Sequence, residues 1–352
     1  MDQEIRFCTT ADGARLAYAV CGTGPPLVLL PGWVSHLELN WPRLQPLLEP
    51  LTHHFQLIRY DKRGTGLSDR AIDDFSLDAR LADFSCLMDH LGLARFAMYA
   101  SSAGGPVAMR YAALHPEQVE ALVLYGTFAR GDGVAGKPQT SGALAALVRA
   151  EWGLAATALT ELFIPGASGE ERESFARVQR LSADAEAAAA LLEATAVVDV
   201  RTMLPGIAAP TLVTHARGDR AVPFEFGREV AATIPMARLL AIESDWHALA
   251  PADERQLWAA VLDFLQHARA DAHPAGEVGA NALWPMLTSG LSDREVEVLR
   301  LIARGRTNRQ IASDLVISLH TVSHHVGNIL AKIGATNRTE AAAYAHRLGL
   351  LS

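Results

Sequence analysis

The fold is first readable in residues 95–116, "RFAMYASSAGGPVAMRYAALHP". Its opening, "RFAMYAS", is a short aliphatic and aromatic run with the length and composition of a buried strand. Its close, "GGPVAMRYAALHP", reads as the start of a helix. Between them Ala100-Ser101-Ser102-Ala103-Gly104 puts small side chains two before and two after Ser102. A strand that reverses sharply into a helix leaves no room for larger groups at those positions and exposes the central side chain. Ser102 is therefore the candidate nucleophile. Ser101 is the poorer choice, because Tyr99 would then fill the first small position. A small-x-Ser-x-small pattern also arises by chance in an alanine-rich chain, so the assignment depends on its surroundings.

Outward from this turn, strand-like runs alternate with helical ones. "PLVLLPG", "FQLIRYD" and "VEALVLYG" read as buried strands, and "SLDARLADFSCLMDHLGL" has helical apolar spacing. That alternation predicts an α/β fold, a parallel sheet with helices on both faces. Over residues 127–201 the chain turns alanine-rich and helical without strands, as a cap over a site would. The strand rhythm returns in "APTLVTHARGD" and "ARLLAIESDWH".

Two partners for Ser102 follow in that second part. Asp219 comes after the run "TLVTHA", and His247 comes after the next strand. Both fall at the carboxyl ends of strands, where the sites of open parallel sheets collect. The chemistry then assigns roles: His247 takes the proton of Ser102, and Asp219 fixes the imidazole tautomer and stabilises its charged form. An oxyanion needs two backbone donors. Ala103 offers one and Trp33, in "LLPGWVSH", the other, with Gly32 allowing close approach. His36 in the same loop is either a pocket-lining residue or an ordinary loop histidine. The glycines of "DKRGTG", residues 61–66, invite a phosphate-loop reading, but the spacing is incomplete and Gly64 and Gly66 fit a structural turn better. Asp199, Glu225 and Asp245 are assigned to local hydrogen bonds or solvation rather than acid–base chemistry. Trp152, Leu159, Leu162, Phe163 and Ile164 are candidates for an apolar roof, which favours a small ester, lactone or ketone as ligand.

These segments, "PGWVSHLEL", "RYDKRGTGLSDR", the serine turn with "LHPEQVEALVLYG", and "PTLVTHARGDRAVP", resemble the α/β-hydrolase superfamily in matching order. More narrowly, they resemble hydrolase-like domains fused to bacterial signalling outputs. Two departures stand out: Ala100 replaces the usual first glycine, and "IESDWH" replaces the usual Gly-x-Gly-His or Gly-x-Asp-His.

With 352 residues, half of them hydrophobic, the chain can form one large domain and a small one. Its net charge of −8 argues against a basic coat over the whole protein. Three cysteines without a C-x-x-C pair point to neither a disulfide framework nor a zinc site. Neighbouring histidines at 53–54 and 324–325 point in different directions and are poor metal ligands. No metal or cofactor is expected. The polar start "MDQEIRFCTTADG" and the lack of a long apolar run lead to the expectation of a cytoplasmic protein without a membrane partner. Domain boundaries are expected at 1–268 for the ligand-sensing part, 269–288 for a Pro/Gly/Ala-rich linker, and 289–352 for a compact helical part.

That last part opens with "LSDREVEVLRLIARG", in which Ser292 and Glu295 have capping-box spacing and Leu291 and Val296 can form a hydrophobic staple. Gly305 ends the helix. A second helix, "NRQIASDL", and a third expected from Thr321 have the pattern of a helix-turn-helix, whose second helix can enter a major groove. Residues 291–350 resemble the LuxR/GerE-type helix-turn-helix family almost residue by residue. The resemblance places Ser323, His324 and Gly327 at base-reading positions and Thr307, Asn308, Thr321, His325, Asn328 and Lys332 at phosphate contacts. It also makes "EAAAYAHRLG" a dimerisation element. The family often has Lys or Arg where Ser323 and Gly327 stand, so this groove face is less basic. Basic residues nonetheless outnumber acidic ones in this segment.

The combined expectation is a ligand-responsive transcriptional regulator. Its partners would be double-stranded operator DNA (an inverted repeat), a small apolar carbonyl compound, and a second copy of the chain. The competing expectation is a working esterase or lactonase in which the helical end serves for dimerisation. From sequence, turnover at Ser102 stays open.

Overall fold

The computed structural model describes residues 3–135, 138–272, 293–315 and 318–333, with isolated positions between 335 and 342. Side chains at 138–141, 270–272 and scattered positions after 293 fall outside that description. The chain divides into two compact units, Met1–Arg269 and Ala270–Ser352.

The first unit is built on an eight-stranded sheet in the order β1-β2-β4-β3-β5-β6-β7-β8. Its strands are β1 (Glu4–Thr9), β2 (Arg15–Cys21), β3 (Pro26–Leu30), β4 (Gln56–Tyr60), β5 (Phe96–Ser101), β6 (Val119–Tyr125), β7 (Thr211–Ala216) and β8 (Ala237–Ile242). From β4 onward across the sheet every pairing is parallel, whereas β1–β2 and β2–β4 are antiparallel. The sequence reading missed the β1–β2 hairpin. Its signal is Asp12-Gly13 between two alternating runs, with Gly13 at φ +92°.

Period two decides which side chain enters which layer. In β5, Phe96, Met98 and Ala100 join the core beneath α2 (Leu77–His90), α3 (Gly105–Leu114) and α8 (Phe224–Thr233). Ala97 and Tyr99 join the opposite core, beneath α1 (Trp41–Thr52) and α9 (Pro251–Ala272). A strand buried on both faces is continuously apolar, as this one is. The chain runs from β3 outward to β4, then returns to place β5 on the other side of β3. Helices α1 and α2 therefore cover opposite faces, and a crevice opens between the carboxyl ends of β3 and β5. Such a switch point is where open α/β sheets bind ligands.

Between β6 and β7 lie four helices, α4 (Pro138–Ala150), α5 (Trp152–Phe163), α6 (Gly169–Ser182) and α7 (Ala185–Ala196). Two of their starts follow capping rules. Ser168 and Glu171 form a capping box on α6, and Asp184 accepts from Ala187 N on α7. Helices α4, α5 and α7 share a core of Ala145, Val148, Ala155, Leu159, Ala188 and Leu191, into which Trp33 and Phe75 insert from the sheet unit.

The second unit contains α10 (Asp293–Ala303), α11 (Asn308–Asp314) and α12 (Leu319–Ile333). They pack through Val298, Leu299, Ile302, Ile311, Val322 and Ile329. Gly305 ends α10 at φ +75°. Helix α12 begins at Leu319, two residues before the expected Thr321, because Ser318 takes the capping role and accepts from Thr321 N at 3.0 Å. Leu291, Ser292, the side chain of Val296, and most of "EAAAYAHRLG" lie outside the described residues. Residues 269–272, assigned to the linker from composition, are the last turn of α9. The rest of that segment lies outside the described residues. Among the described residues no helix is long and apolar enough to cross a membrane.

Candidate functional site

Ser102 sits where β5 turns into α3, with φ of +48°. A non-glycine residue keeps that conformation only where its surroundings impose it. Here they do so from two sides. A Cβ on Gly104 would stand 2.6 Å from Pro31 O, so only glycine lets the start of α3 lie against the loop after β3. From the other side Thr127, just after β6, donates its hydroxyl to Ser102 O at 2.7 Å.

The loops after β7 and β8 bring two partners to this serine. His247 Nε2 lies 2.9 Å from Ser102 Oγ, and His247 Nδ1 lies 2.6 Å from Asp219 Oδ2. The other carboxylate oxygen, Oδ1, accepts from Ala221 N and Val222 N, each at 2.9 Å. With Oδ1 occupied, Oδ2 is left for the imidazole and orients it with the proton on Nδ1. Nε2 is then a lone-pair acceptor facing the serine hydroxyl. All three side chains are buried.

The unusual "IESDWH" approach is pinned through its backbone. His247 N donates to Phe163 O at 2.8 Å, and Tyr125 donates its hydroxyl to His247 O at 2.5 Å. A second histidine, missed in sequence, stands behind the carboxylate: His215 Nε2 lies 3.6 Å from Asp219 Oδ2 and donates to Val222 O at 2.7 Å. Burial holds its pKa below the ordinary value.

A small cavity opens above Ser102. Its walls are mostly apolar: Trp33, Ala103, Phe128, Leu159, Phe163, Leu192 and Val222 surround the serine. Of the five roof candidates, Leu159 and Phe163 line it. Trp152 instead donates its indole N–H to Ala183 O at 3.0 Å and packs edge-on against Trp33. Leu162 packs into the cap core, and Ile164 is buried without reaching the cavity.

His36, left open between pocket lining and an ordinary loop histidine, sits in the loop between β3 and α1. It is not among the cavity-lining residues, and its Nδ1 accepts weakly from Leu39 N at 3.4 Å in the turn before α1. The "DKRGTG" segment is a buried bracket. Asp61 accepts from Ser35 Oγ, Leu37 N and Leu67 N, and a Cβ on Gly66 would collide with its carboxylate. Asp199 pairs with Arg201. Sequence reasoning missed Lys62, whose ammonium donates to Gly32 O.

In the second unit the candidate DNA-contacting residues gather on α11, α12 and their starts. Several of them also hold the module together. Thr307 caps α11 reciprocally with Gln310, and Asn308 Oδ1 accepts from Arg338 at 2.9 Å. Thr321 shares a hydroxyl hydrogen bond with Ser318, and Ser323 Oγ donates back to Leu319 O at 3.1 Å. Lys332 is tied to Glu295 of α10 at 2.7 Å, which leaves its ammonium only partly available. Ser323 and Gly327 are exposed, with open space where a Cβ on Gly327 would be. His325 and Asn328 are half-buried, and the His324 side chain lies outside the described residues.

Comparison with known proteins gives two separate matches. Residues 25–254 match the family model described as alpha/beta hydrolase fold, and residues 289–345 match "Bacterial regulatory proteins, luxR family". Over the second region the chain is 48% identical across 62 residues to the transcriptional regulatory protein LiaR of Bacillus subtilis, covering 18% of this chain and 29% of that regulator. This chain thus spans less than a third of that relative's length. Over the first region it is 31% identical across 218 residues to 3-oxoadipate enol-lactonase 2 of Acinetobacter baylyi, covering 60% of this chain and 78% of that enzyme. A crystal structure of a hydrolase from Pseudomonas aeruginosa superposes with a TM-score of 0.66 at 30% identity, covering 74% of this chain and 98% of that one.

Proposed function

We propose that this chain, which belongs to the alpha/beta hydrolase fold family and carries a luxR-family DNA-binding domain at residues 289–345, is a transcriptional regulator whose hydrolase-like domain reads a small apolar ester or lactone. The observation that carries this reading is the assembled Ser102–His247–Asp219 line at the floor of an apolar cavity, in a chain that also carries a DNA-binding domain. The enol-lactonase likeness supports the carbonyl class.

The same geometry supports hydrolysis of the bound signal. Ser102 Oγ attacks the carbonyl carbon while His247 Nε2 takes the hydroxyl proton. The carbon–oxygen bond of the ester breaks, and His247 returns that proton to the departing alkoxide. Water repeats the sequence to release the acid and restore the serine. The amides of Ala103 and Trp33 are the donors for the oxyanion. The Trp33 N–H belongs to the same peptide unit as Gly32 O. A trans peptide points these two groups in opposite directions. By holding Gly32 O, Lys62 keeps the Trp33 amide aimed away from itself and raises its strength as a donor. On this reading Lys62 is a positioning residue.

One experiment tests both halves. The full chain is treated with a serine-directed fluorophosphonate, its intact mass is measured, and its affinity is determined for a duplex selected from random DNA. We expect one adduct in the wild type, none in Ser102→Ala, and a change in DNA affinity when Ser102 carries the adduct. An adduct that leaves DNA affinity unchanged argues for a working esterase without sensing. No adduct in folded wild type argues for a receptor without the chemistry.

A further inference from the structure

Among the described residues that line the cavity above Ser102, none carries a charged side chain. Three carry polar atoms, and two of these are engaged: Trp33 donates its indole N–H to Ala188 O at 3.2 Å, and Ser102 Oγ faces His247 Nε2 at 2.9 Å. The third is Thr195, in the last turn of α7. It is 6% exposed, and its hydroxyl makes no hydrogen bond among the described residues.

That is unusual in this molecule. Every other buried threonine among the described residues donates its hydroxyl to a backbone carbonyl. Thr160 on α5 does so in the way open to any helical threonine, onto the carbonyl of Ala156 four residues back, at 2.8 Å. Thr195 makes no such bond to Leu191 O. Nor is its oxygen sealed in, since the fully buried unpaired side-chain polar atoms among the described residues belong to Arg80, Gln179, Ser182, His215 and Trp258. The backbone that carries Thr195 is also fixed. A Cβ on Gly131 would stand 1.8 Å from Thr195 O, and beside this contact Gly131 N donates to Val198 O at 2.9 Å and Val200 N to Ala129 O at 2.8 Å. The same stretch after β6 carries Thr127, which holds Ser102 O. One segment therefore positions both the serine and the threonine.

A hydroxyl without a partner in an apolar wall favours a ligand that supplies one, and disfavours the analogue that lacks it. A carboxylate in the same wall would be buried without a counter-charge. We propose that Thr195 is the specificity-determining residue of the cavity, its hydroxyl donating to an oxo group on the acyl chain of an uncharged ligand whose reacting carbonyl lies at Ser102. This deepens the reading of the cavity as an ester or lactone site and rests on it.

The test measures binding rather than turnover. A plain aliphatic methyl ketone, diketones of the same length that differ in where the second oxo group stands, and the matching keto acid are titrated calorimetrically into the full chain. One diketone of the series should bind the wild type about fivefold more tightly than the plain ketone, as one added hydrogen bond gives. That preference should vanish in the near-isosteric Thr195→Val and persist in Thr195→Ser, while the plain ketone binds all three proteins alike and the keto acid binds most weakly. A plain ketone that binds as well as every diketone, a preference undiminished in Thr195→Val, or tightest binding of the keto acid overturns this proposal alone. Failure of every ketone to bind overturns it together with the reading of the cavity as a ligand site. Should Thr195→Val not fold, the wild-type series and Thr195→Ser still decide. Fluorophosphonate labelling of Ser102 reports on the hydrolytic chemistry separately.

Discussion

Lys62 and His215 each touch the site from behind without reaching the cavity. Lys62 acts on Gly32 O, so its removal should free the Gly32–Trp33 peptide while leaving Ser102, His247 and Asp219 in line. Losing one aimed oxyanion donor costs about 10²–10³-fold in rate in hydrolases. Lys62→Met should therefore slow fluorophosphonate labelling about 10²-fold at saturating reagent, with half-saturation unchanged. A change confined to half-saturation would instead assign Lys62 to the pocket wall.

His215 makes a different prediction, in pH. Burial depresses its pKa below 6.5 in the folded protein, with Val222 O, Asp219, His247 and Glu225 as its polar surroundings. The unfolded chain then takes up a proton near pH 6.5 that the folded chain refuses. Its stability contribution is complete above pH 6.5 and is lost as pH falls from there toward the folded value. His215→Gln keeps a donor for Val222 O and should lose less stability than wild type between pH 7.5 and 5.5 in denaturant titrations. Loss of equal size in both proteins would remove His215 as the cause. His36, also depressed by burial, stays in both and cancels.

Among the elements, α5 links roof and floor. The Phe163 ring lies 5.3 Å from the His247 ring and 6.2 Å from Trp33, while Phe163 O accepts from His247 N and Ala248 N. Phe163→Ala keeps the backbone bonds and deletes the ring, which enlarges the cavity and costs about 2 kcal/mol of stability for a half-buried aromatic. Labelling by long-chain fluorophosphonates should gain about tenfold over short-chain ones. An unchanged ratio would place the acyl pocket elsewhere.

The same element marks how far sequence reaches. Ser102, Asp219 and His247 were legible because each follows a strand whose apolar run is visible, and small residues at 100 and 104 announce the turn. Leu159 could not be told from Leu162, since both fit the helical period and only packing against Trp33 selects one. Lys62 was hidden because its partner lies one strand away, and strand order is absent from composition. The β1–β2 hairpin was overlooked in favour of the parallel pattern, although Asp12-Gly13 announced it. His36 stayed open between pocket lining and an ordinary loop position, because nearness in sequence to Trp33 does not say which way the turn before α1 carries it.

At the scale of the whole molecule, charge and function are divided between the two units. The chain is acidic overall, at −8, while basic residues outnumber acidic ones after residue 289. DNA binding can therefore depend on the small unit alone, and a ligand alters it only if its affinity differs between DNA-competent and incompetent states. Such coupling is reciprocal. A boronic acid, which adds reversibly to an activated serine, is a suitable probe because its binding is an equilibrium. If saturating boronate changes operator affinity by a factor α, saturating operator must change boronate affinity by the same α. We expect α of about 5–150, the usual range of allosteric coupling. Fluorescence anisotropy of labelled operator and calorimetric titration of boronate measure the two arms on the same full-length protein. In Ser102→Ala both arms should give unity through loss of the covalent bond. Unity in the wild type, with boronate demonstrably bound, would mean that the hydrolase-like unit and the DNA-binding unit share a chain without sharing information.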